Sequence, residues 1–431
     1  MTFEEIKKYH YNIFYMFSDD YCKQLYREIF NSKILFFVSL IKYFLRPFAQ
    51  IIKFLYYPKI KYKRVKGNNI FIAGSINNYN SLINIYTILK DDSIIIKAGF
   101  TKNFIGYNLP MFIPSMLSLL FIPSFIYFYY SASIIERKKL IVFYDRILFS
   151  MGYKIFCNWF LKIYKPKSII FANDHVFFTR IIVDQAAKIE IKTFYIQHAS
   201  VTKIFPKIFS SYALLEGNDA KEKYISNGSD HKKIKLIGMP KYDGLQKYTN
   251  RSKKINSIAF CTTGALQKQD ILKLIHKTHN HFSDFKLYFR PHTFEHYEQV
   301  YKISELPRNF IFSDPTKENV FQLLKKVDCI ISGNSSILLE AALLNIIPFY
   351  FVSDQKTRYN DSNIIDDKYG YVKRGIAFNI HNLDDLVQQI KLFDKRKPNL
   401  TSKTQYYCST VGTKWHGKSS IVAANYIRKL Y

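Results

Sequence analysis

The chain has 431 residues, 48% of them apolar, and its Lys and Arg number 63 against 33 Asp and Glu, a formal charge of +30. That apolar share excludes a disordered chain and is enough for the cores of two domains of roughly 100–200 residues each. The charge favours anionic partners: phosphorylated substrates, an anionic membrane face or nucleic acid.

Residues 1–66 read as a basic, aromatic helical segment. Its start, MTFEEIKKYHYNIF, lacks the basic-then-apolar pattern of a secretory signal, which argues against export. The stretch Phe36–Lys66 alternates aromatics with Lys and Arg, as helices lying in a membrane interface do. Residues 67–248 then read as a first Rossmann-like domain: strand Ile70–Ala73, a Gly-Ser turn, helix Tyr79–Leu89 and strand Ser93–Lys97. Leu109–Ile135 is long enough to span a bilayer, but Pro110, Pro114 and Pro123 interrupt it. A buried helical face or peripheral contact is therefore expected ahead of insertion. A helix around Arg146–Tyr164, a strand in SIIFAND, helix Thr179–Ile189 and strands in KTFYIQHAS, YALLEGND and KIKLIGMP continue the β-α-β alternation.

Gln246–Asn256 is charged and serves as the expected linker. Residues 254–410 repeat the pattern with SIAFCTTG, helix Lys268–His281, FKLYFRPH, FIFSDP, helix Glu318–Lys326, DCIISGNSS, helix Ile337–Leu344 and IPFYFV. Residues 411–431 end in a helix, Ser419–Leu430. The expected fold is α/β: two doubly wound parallel-sheet domains facing a cleft, with a helix-rich basic N-terminal segment. Cys22, Cys157, Cys261, Cys329 and Cys408 show no CxxC spacing, which points to reduced thiols and away from a zinc framework.

In open α/β sheets, ligands bind beyond the carboxyl ends of the strands. In the second domain those positions hold Thr262, Thr263 and Gly264; Arg290 and His292; and Ser332, Gly333, Asn334, Ser335 and Ser336. Hydroxyls, glycines, a guanidinium and an imidazole at a helix start make a cradle for phosphate, though the serines are equally good N-caps. Glu340 shares a helix face with Ser336 and could receive a ribose, or form an ion pair. In the first domain, Gln197 and His198 end one strand and Asn173, Asp174 and His175 another. His198 could act as general base or orient a phosphate. Asp174 could polarise it or take a proton itself, and His175 is a second catalytic imidazole or simply bonds within its turn. Gly74 and Ser75 either approach a ligand or make the turn after the first strand. No GxGxxG, no GxxxxGK[ST], no HExxH and no nucleic-acid module is present, so charge alone argues for nucleic acid.

The triplets Gln197-His198-Ala199 and Arg290-Pro291-His292, with Ser332–Ser336 followed by ILLEAALLNIIPFYF, resemble motifs of the GT-B glycosyltransferases of bacterial surface-polysaccharide synthesis. The nearest branch is that of the CDP-glycerol glycerophosphotransferases. Ala199 stands where that branch carries Gly, Pro291 precedes the histidine, and Gly333-Asn334 replaces Asp-Tyr. The resemblance implies a metal-independent enzyme without cofactor. It puts a CMP- or UDP-linked sugar donor in the C-terminal lobe, on Arg290, His292, Ser335 and Ser336. A glycan or lipid-linked acceptor would occupy the N-terminal lobe, with His198 as base. The expected setting is the cytoplasmic face of the plasma membrane, on anionic lipid, with no nucleic-acid partner. A polyol-phosphate transferase, a sugar-nucleotide 2-epimerase and a basic nucleic-acid-binding protein are the alternatives.

Overall fold

The computed structural model describes residues 1–30, 33–56, 65–98, 104–263, 266, 268–297, 299–351 and 367–430. The chain divides into two compact units. The first holds Met1–Lys241 and takes up the chain again at Lys418, and the second holds the described residues between Tyr242 and Gly417.

The sheet of the first unit has seven parallel strands: β1 (Asn69–Ala73), β2 (Ser93–Lys97), β3 (Tyr107–Asn108), β4 (Ser168–Phe171), β5 (Lys192–Ile196), β6 (Tyr212–Leu215) and β7 (Ile234–Leu236). Their order is β3-β2-β1-β4-β5-β6-β7. The central strands carry unbroken apolar runs after a polar first residue or two, because both faces of the sheet are covered and alternate residues serve opposite cores. Ile70, Ile72, Ile169, Phe171 and Tyr195 pack with the helices Tyr144–Tyr164 and Phe177–Ala187. Phe71, Ala73, Ile170 and Phe194 pack on the other side with Leu82 and Ile85 of helix Ile76–Leu89. Helix Ser419–Lys429 joins that second core through Ala423, Ala424 and Ile427, so the chain's last helix belongs to the first unit.

The N-terminal segment is also part of this unit. Ile6, Ile13 and Phe14 share a core with Phe128, Leu140, Phe143 and Ile147. Gly152 lets helix Tyr144–Tyr164 close on helix Phe112–Leu119, since a Cβ there would lie 2.1 Å from the Pro114 carbonyl oxygen. Among the described residues no single helix is long and apolar enough to cross a membrane. Leu109–Ile135 contains two helices, Phe112–Leu119 and Ile122–Ser131, bent by 62°. They bury one face, with Pro114, Ser115, Ser118 and Phe128 inside, and leave Leu120, Tyr127 and Tyr130 exposed on the other. Helix Lys33–Tyr56 likewise turns Phe37 (64% exposed), Ile41, Phe44, Phe48 (65%), Ile52 and Leu55 (63%) outward, at spacings that share one helix face.

The second unit has six parallel strands: β8 (Ser257–Cys261), β9 (Lys286–Arg290), β10 (Ile311–Phe312), β11 (Cys329–Ser332), β12 (Ile347–Phe351) and β13 (Phe378–Ile380), ordered β10-β9-β8-β11-β12-β13. The stretch expected as a linker is fixed to this unit instead. Asn250 donates its amide to the Val327 carbonyl and Asp328 at 3.1 Å, and Asn345 and Lys397 donate to Asn250 in turn. All five cysteines are buried.

Candidate active site

Each sheet has a point where the chain runs outward in opposite directions: between β1 and β4 in the first unit, and between β8 and β11 in the second. A crevice forms beyond the carboxyl ends of such a strand pair.

In the second unit, Cys261 pairs with Arg290 on one side and Ser332 on the other. Thr262, Thr263, Arg290, His292 and Ser332–Ser336 therefore stand on neighbouring strand ends, as the sequence implies. Their side chains are less free than a phosphate cradle requires. The Arg290 guanidinium donates to Ser313 Oγ at 2.8 Å and to the Glu318 carbonyl at 2.9 Å. Ser332 is fully buried, and its hydroxyl donates to the Cys261 carbonyl at 2.7 Å, stitching β11 to β8. Thr262 Oγ1 donates to Glu295, a carboxylate the sequence reading passed over. Glu295 also accepts the His292 amide at 3.1 Å, which is the return half of a capping box. Its position three residues after His292 was the signal for it. Burial pushes the Glu295 carboxyl up despite those bonds.

The hydroxyls of Thr263, Ser335 and Ser336 keep capacity to spare. Thr263 Oγ1 is buried without a hydrogen-bond partner. Ser335 Oγ accepts only a long 3.4 Å bond from the Ile337 amide, and Ser336 makes no side-chain cap. Asn334 Oδ1 accepts the Lys368 amide at 3.1 Å. Gly333 is buried. Glu340 is buried one turn after Ser336, whose carbonyl accepts its amide at 3.0 Å. Gly264 lies outside the described residues.

In the first unit, a cavity of about 410 Å³ opens at the switch point, with Gly74 and Ser75 after β1 and Asn173 after β4 in its wall. Its wall also includes His10, Asn12, Arg46, Asp145 and Arg146, which the sequence does not connect with a site. His10, Asn12 and Arg46 lie outside the β-α-β elements, while Asp145 and Arg146 open helix Tyr144–Tyr164 and not a strand end, so only tertiary packing brings them to the cavity.

His198, beyond β5, is partly exposed, but its Nδ1 is out of contact with solvent and has no partner. The other ring nitrogen bonds the Ala172 carbonyl. Burial, with the positive charge of His175 and Lys241, pushes its pKa down to about 3, against an opposing pull from Asp174. The ring is thus neutral near pH 7 with its Nδ1 lone pair unclaimed, a form able to take a proton, although the burial that keeps it neutral also makes it a weak base at rest.

Asp174 is not available as that base. It is 1% exposed and accepts the Tyr224 hydroxyl at 2.5 Å, while its carbonyl accepts from Arg180 at 2.9 Å. His175 Nδ1 stands 3.2 Å from its other oxygen. Gln197 is also committed: its amide donates to Glu216 at 3.1 Å and to the Ala199 carbonyl at 3.0 Å, and its oxygen accepts the Glu216 amide at 2.9 Å. These bonds lock the ends of β5 and β6 together, so Gln197 shapes the site instead of facing a ligand.

Solved structures share this architecture. A UDP-GlcNAc 2-epimerase from Neisseria meningitidis bound to UDP-GlcNAc matches 84% of this chain and 100% of its own, with a TM-score of 0.56 at 12% identity. A variant of the wall teichoic acid polymerase TagF matches 91% of this chain and 97% of its own, with a TM-score of 0.53 at 14% identity. The fold is GT-B. S. aureus MnaA with UDP shares this GT-B fold over 84% of this chain and 96% of its own, with a TM-score of 0.55 at 13% identity. No protein-family profile and no curated protein sequence matches the chain.

Proposed function

We propose that this GT-B chain is a glycosyltransferase that moves a sugar from a CMP- or UDP-linked donor to a glycan or lipid-linked acceptor in surface-polysaccharide synthesis. The observation that carries this reading is the cavity of about 410 Å³ at the switch point of the first unit. A transferase needs room for an acceptor, whereas an epimerase works on the nucleotide sugar alone. Similar structures solved with UDP, UDP-GlcNAc and CDPG support a nucleotide-linked donor.

In this reading the donor is held in the second unit by Thr263, His292, Ser335 and Ser336, and the acceptor in the first. The acceptor oxygen attacks the anomeric carbon, and the bond from that carbon to the phosphate oxygen breaks. The nucleotide leaves with the electron pair, and the hydroxyl proton passes to Nδ1 of His198. Amides at the strand ends stabilise the departing phosphate. A second reading, a polyol-phosphate transferase, is favoured by the likeness to TagF, which spans 91% of the chain against 84% for the Neisseria epimerase. The outward apolar face of helix Lys33–Tyr56, flanked by exposed Lys42 and Lys53, fits peripheral binding to an anionic bilayer on the cytoplasmic side.

The test is a thermal-shift screen against UDP, CMP, UDP-GlcNAc and CDP-glycerol, followed by label transfer from whichever binds. One nucleotide should raise the melting temperature, and the Ser335→Ala/Ser336→Ala protein should lose that rise. His198→Asn should keep the rise and lose transfer by roughly 10²–10⁴-fold. A folded protein that responds to no nucleotide, but binds nucleic acid with a steep salt dependence, would refute the enzyme reading.

A further inference from the structure

We propose that the cavity of the first unit binds a phosphate group, held by Arg46, Arg146 and His10 over the start of helix Ile76–Leu89. The inference gives the acceptor of the transferase reading a phosphate, and it rests on that reading for the ligand's role only.

Three independent features converge on the cavity. The first is charge: Arg46 and Arg146 line it against the single carboxylate of Asp145, which stands 3.8 Å from Arg46. The second is the helix start. Ser75 caps it by accepting the Asn78 amide at 3.2 Å, which leaves the Ile76 and Asn77 amides, by helix geometry, without intrahelical acceptors.

The third feature is His10, which does not behave as a core residue. It is 0% exposed, it lines the cavity, and neither ring nitrogen has a hydrogen-bond partner. A buried imidazole left in that state costs free energy that folding alone does not recover. The ring is held in place by stacking on Phe177, with centroids 5.0 Å apart and planes at 30°. Burial, reinforced by Arg146, lowers its pKa to about 3, so it meets a ligand as a neutral ring with one N–H to donate.

The donors at the cavity are thus two guanidinium forks, an imidazole and a helix start. That arrangement suits a tetrahedral anion with several oxygens better than a planar carboxylate. The volume exceeds a phosphate alone and leaves room for the group the phosphate carries. Arg46 lies on helix Lys33–Tyr56, whose opposite face presents the outward apolar stripe. The phosphate can therefore arrive on a lipid or on a soluble sugar.

The test is calorimetric titration of the full chain with glucose 1-phosphate, and co-sedimentation with phosphatidylcholine vesicles with and without farnesyl phosphate. Arg146→Gln is the main variant because Arg146 is exposed and its loss leaves the core intact. Arg46→Gln and His10→Asn accompany it. Binding of either phosphate, weakened about tenfold or more in Arg146→Gln, supports the proposal. Response to the vesicles alone assigns the phosphate to a lipid, and response to glucose 1-phosphate assigns it to a soluble ligand. Binding of neither, or equal binding by Arg146→Gln, overturns it. The nucleotide-induced thermal shift, measured on the same variants, reports the transferase reading separately. A retained shift without phosphate binding sinks only the present inference.

Discussion

Replacing Tyr224 by Phe removes one oxygen and keeps the ring. In the structure that oxygen donates to Asp174 at 2.5 Å and lies 3.3 Å from the Tyr195 hydroxyl, and all three residues are buried. A hydrogen bond to a charged group contributes about 1.5–3 kcal/mol, and its loss here leaves a carboxylate oxygen buried without that donor. Tyr224→Phe should therefore destabilise the first unit by about 1.5–3 kcal/mol. The chain offers a clean reporter, because its two tryptophans, Trp159 and Trp415, lie one in each unit. Urea unfolding followed by fluorescence in a Trp415→Phe background reads the first unit alone and avoids treating two units as one transition. A double-mutant cycle with Asp174→Asn isolates the pair, and the two losses should fall well short of additive. Losses that simply add, or a Tyr224→Phe change below about 0.5 kcal/mol, would show that the bond does not hold the unit together. Asp174→Asn with unchanged stability and abolished transfer would return that residue to the role of base.

Acid should weaken the first unit early. His10 and His198 each fall from an ordinary 6.5 to about 3 on folding. The unfolded chain takes up two protons below pH 6.5 that the folded unit refuses until near pH 3, so stability falls across that window. At pH 5 the loss is about 2 kcal/mol per histidine, and a Trp159-reported stability that is flat from pH 7 to 5 would refute the burial of both rings. Thr262→Val strips Glu295 of a hydroxyl donor and should cost the second unit about 1–3 kcal/mol, read from Trp415 in a Trp159→Phe background. Phe44→Glu with Phe48→Glu places two carboxylates on the outward face of helix Lys33–Tyr56. The variant should stay folded and lose co-sedimentation with vesicles rich in phosphatidylserine, whereas undiminished binding would remove the membrane from the reading.

Much of the scaffold was legible because parallel strands covered on both faces announce themselves as short apolar runs. Ser93–Lys97 and helix Lys268–His281 fall where the pattern puts them. Strands β3 and β13 escaped because two or three residues carry no periodicity, and their pairing is decided by neighbours. Strand-end positions were equally legible, since the sheet places Thr262, Arg290 and Ser332 side by side. What those side chains do was not. Arg290, Ser332 and Gln197 looked free in one dimension and are occupied in three, by Ser313, the Cys261 carbonyl and Glu216. The converse holds for His10, Arg46 and Arg146, which reach the cavity from segments that read as helical packing or membrane contact.

The closing helix has a consequence for how the protein is made. Ala423, Ala424 and Ile427 complete the core behind β1 and β4, although those strands precede them by some 250 to 350 residues. Synthesis runs from the amino end, so the first unit waits with Leu82 and Ile85 uncovered while the whole of the second is translated and folds. At 5–20 residues per second that wait lasts roughly ten seconds to a minute. During it the nascent chain exposes an apolar sheet face that chaperones can hold, and a stalled or nicked product lacking the last dozen residues would keep that face open for good.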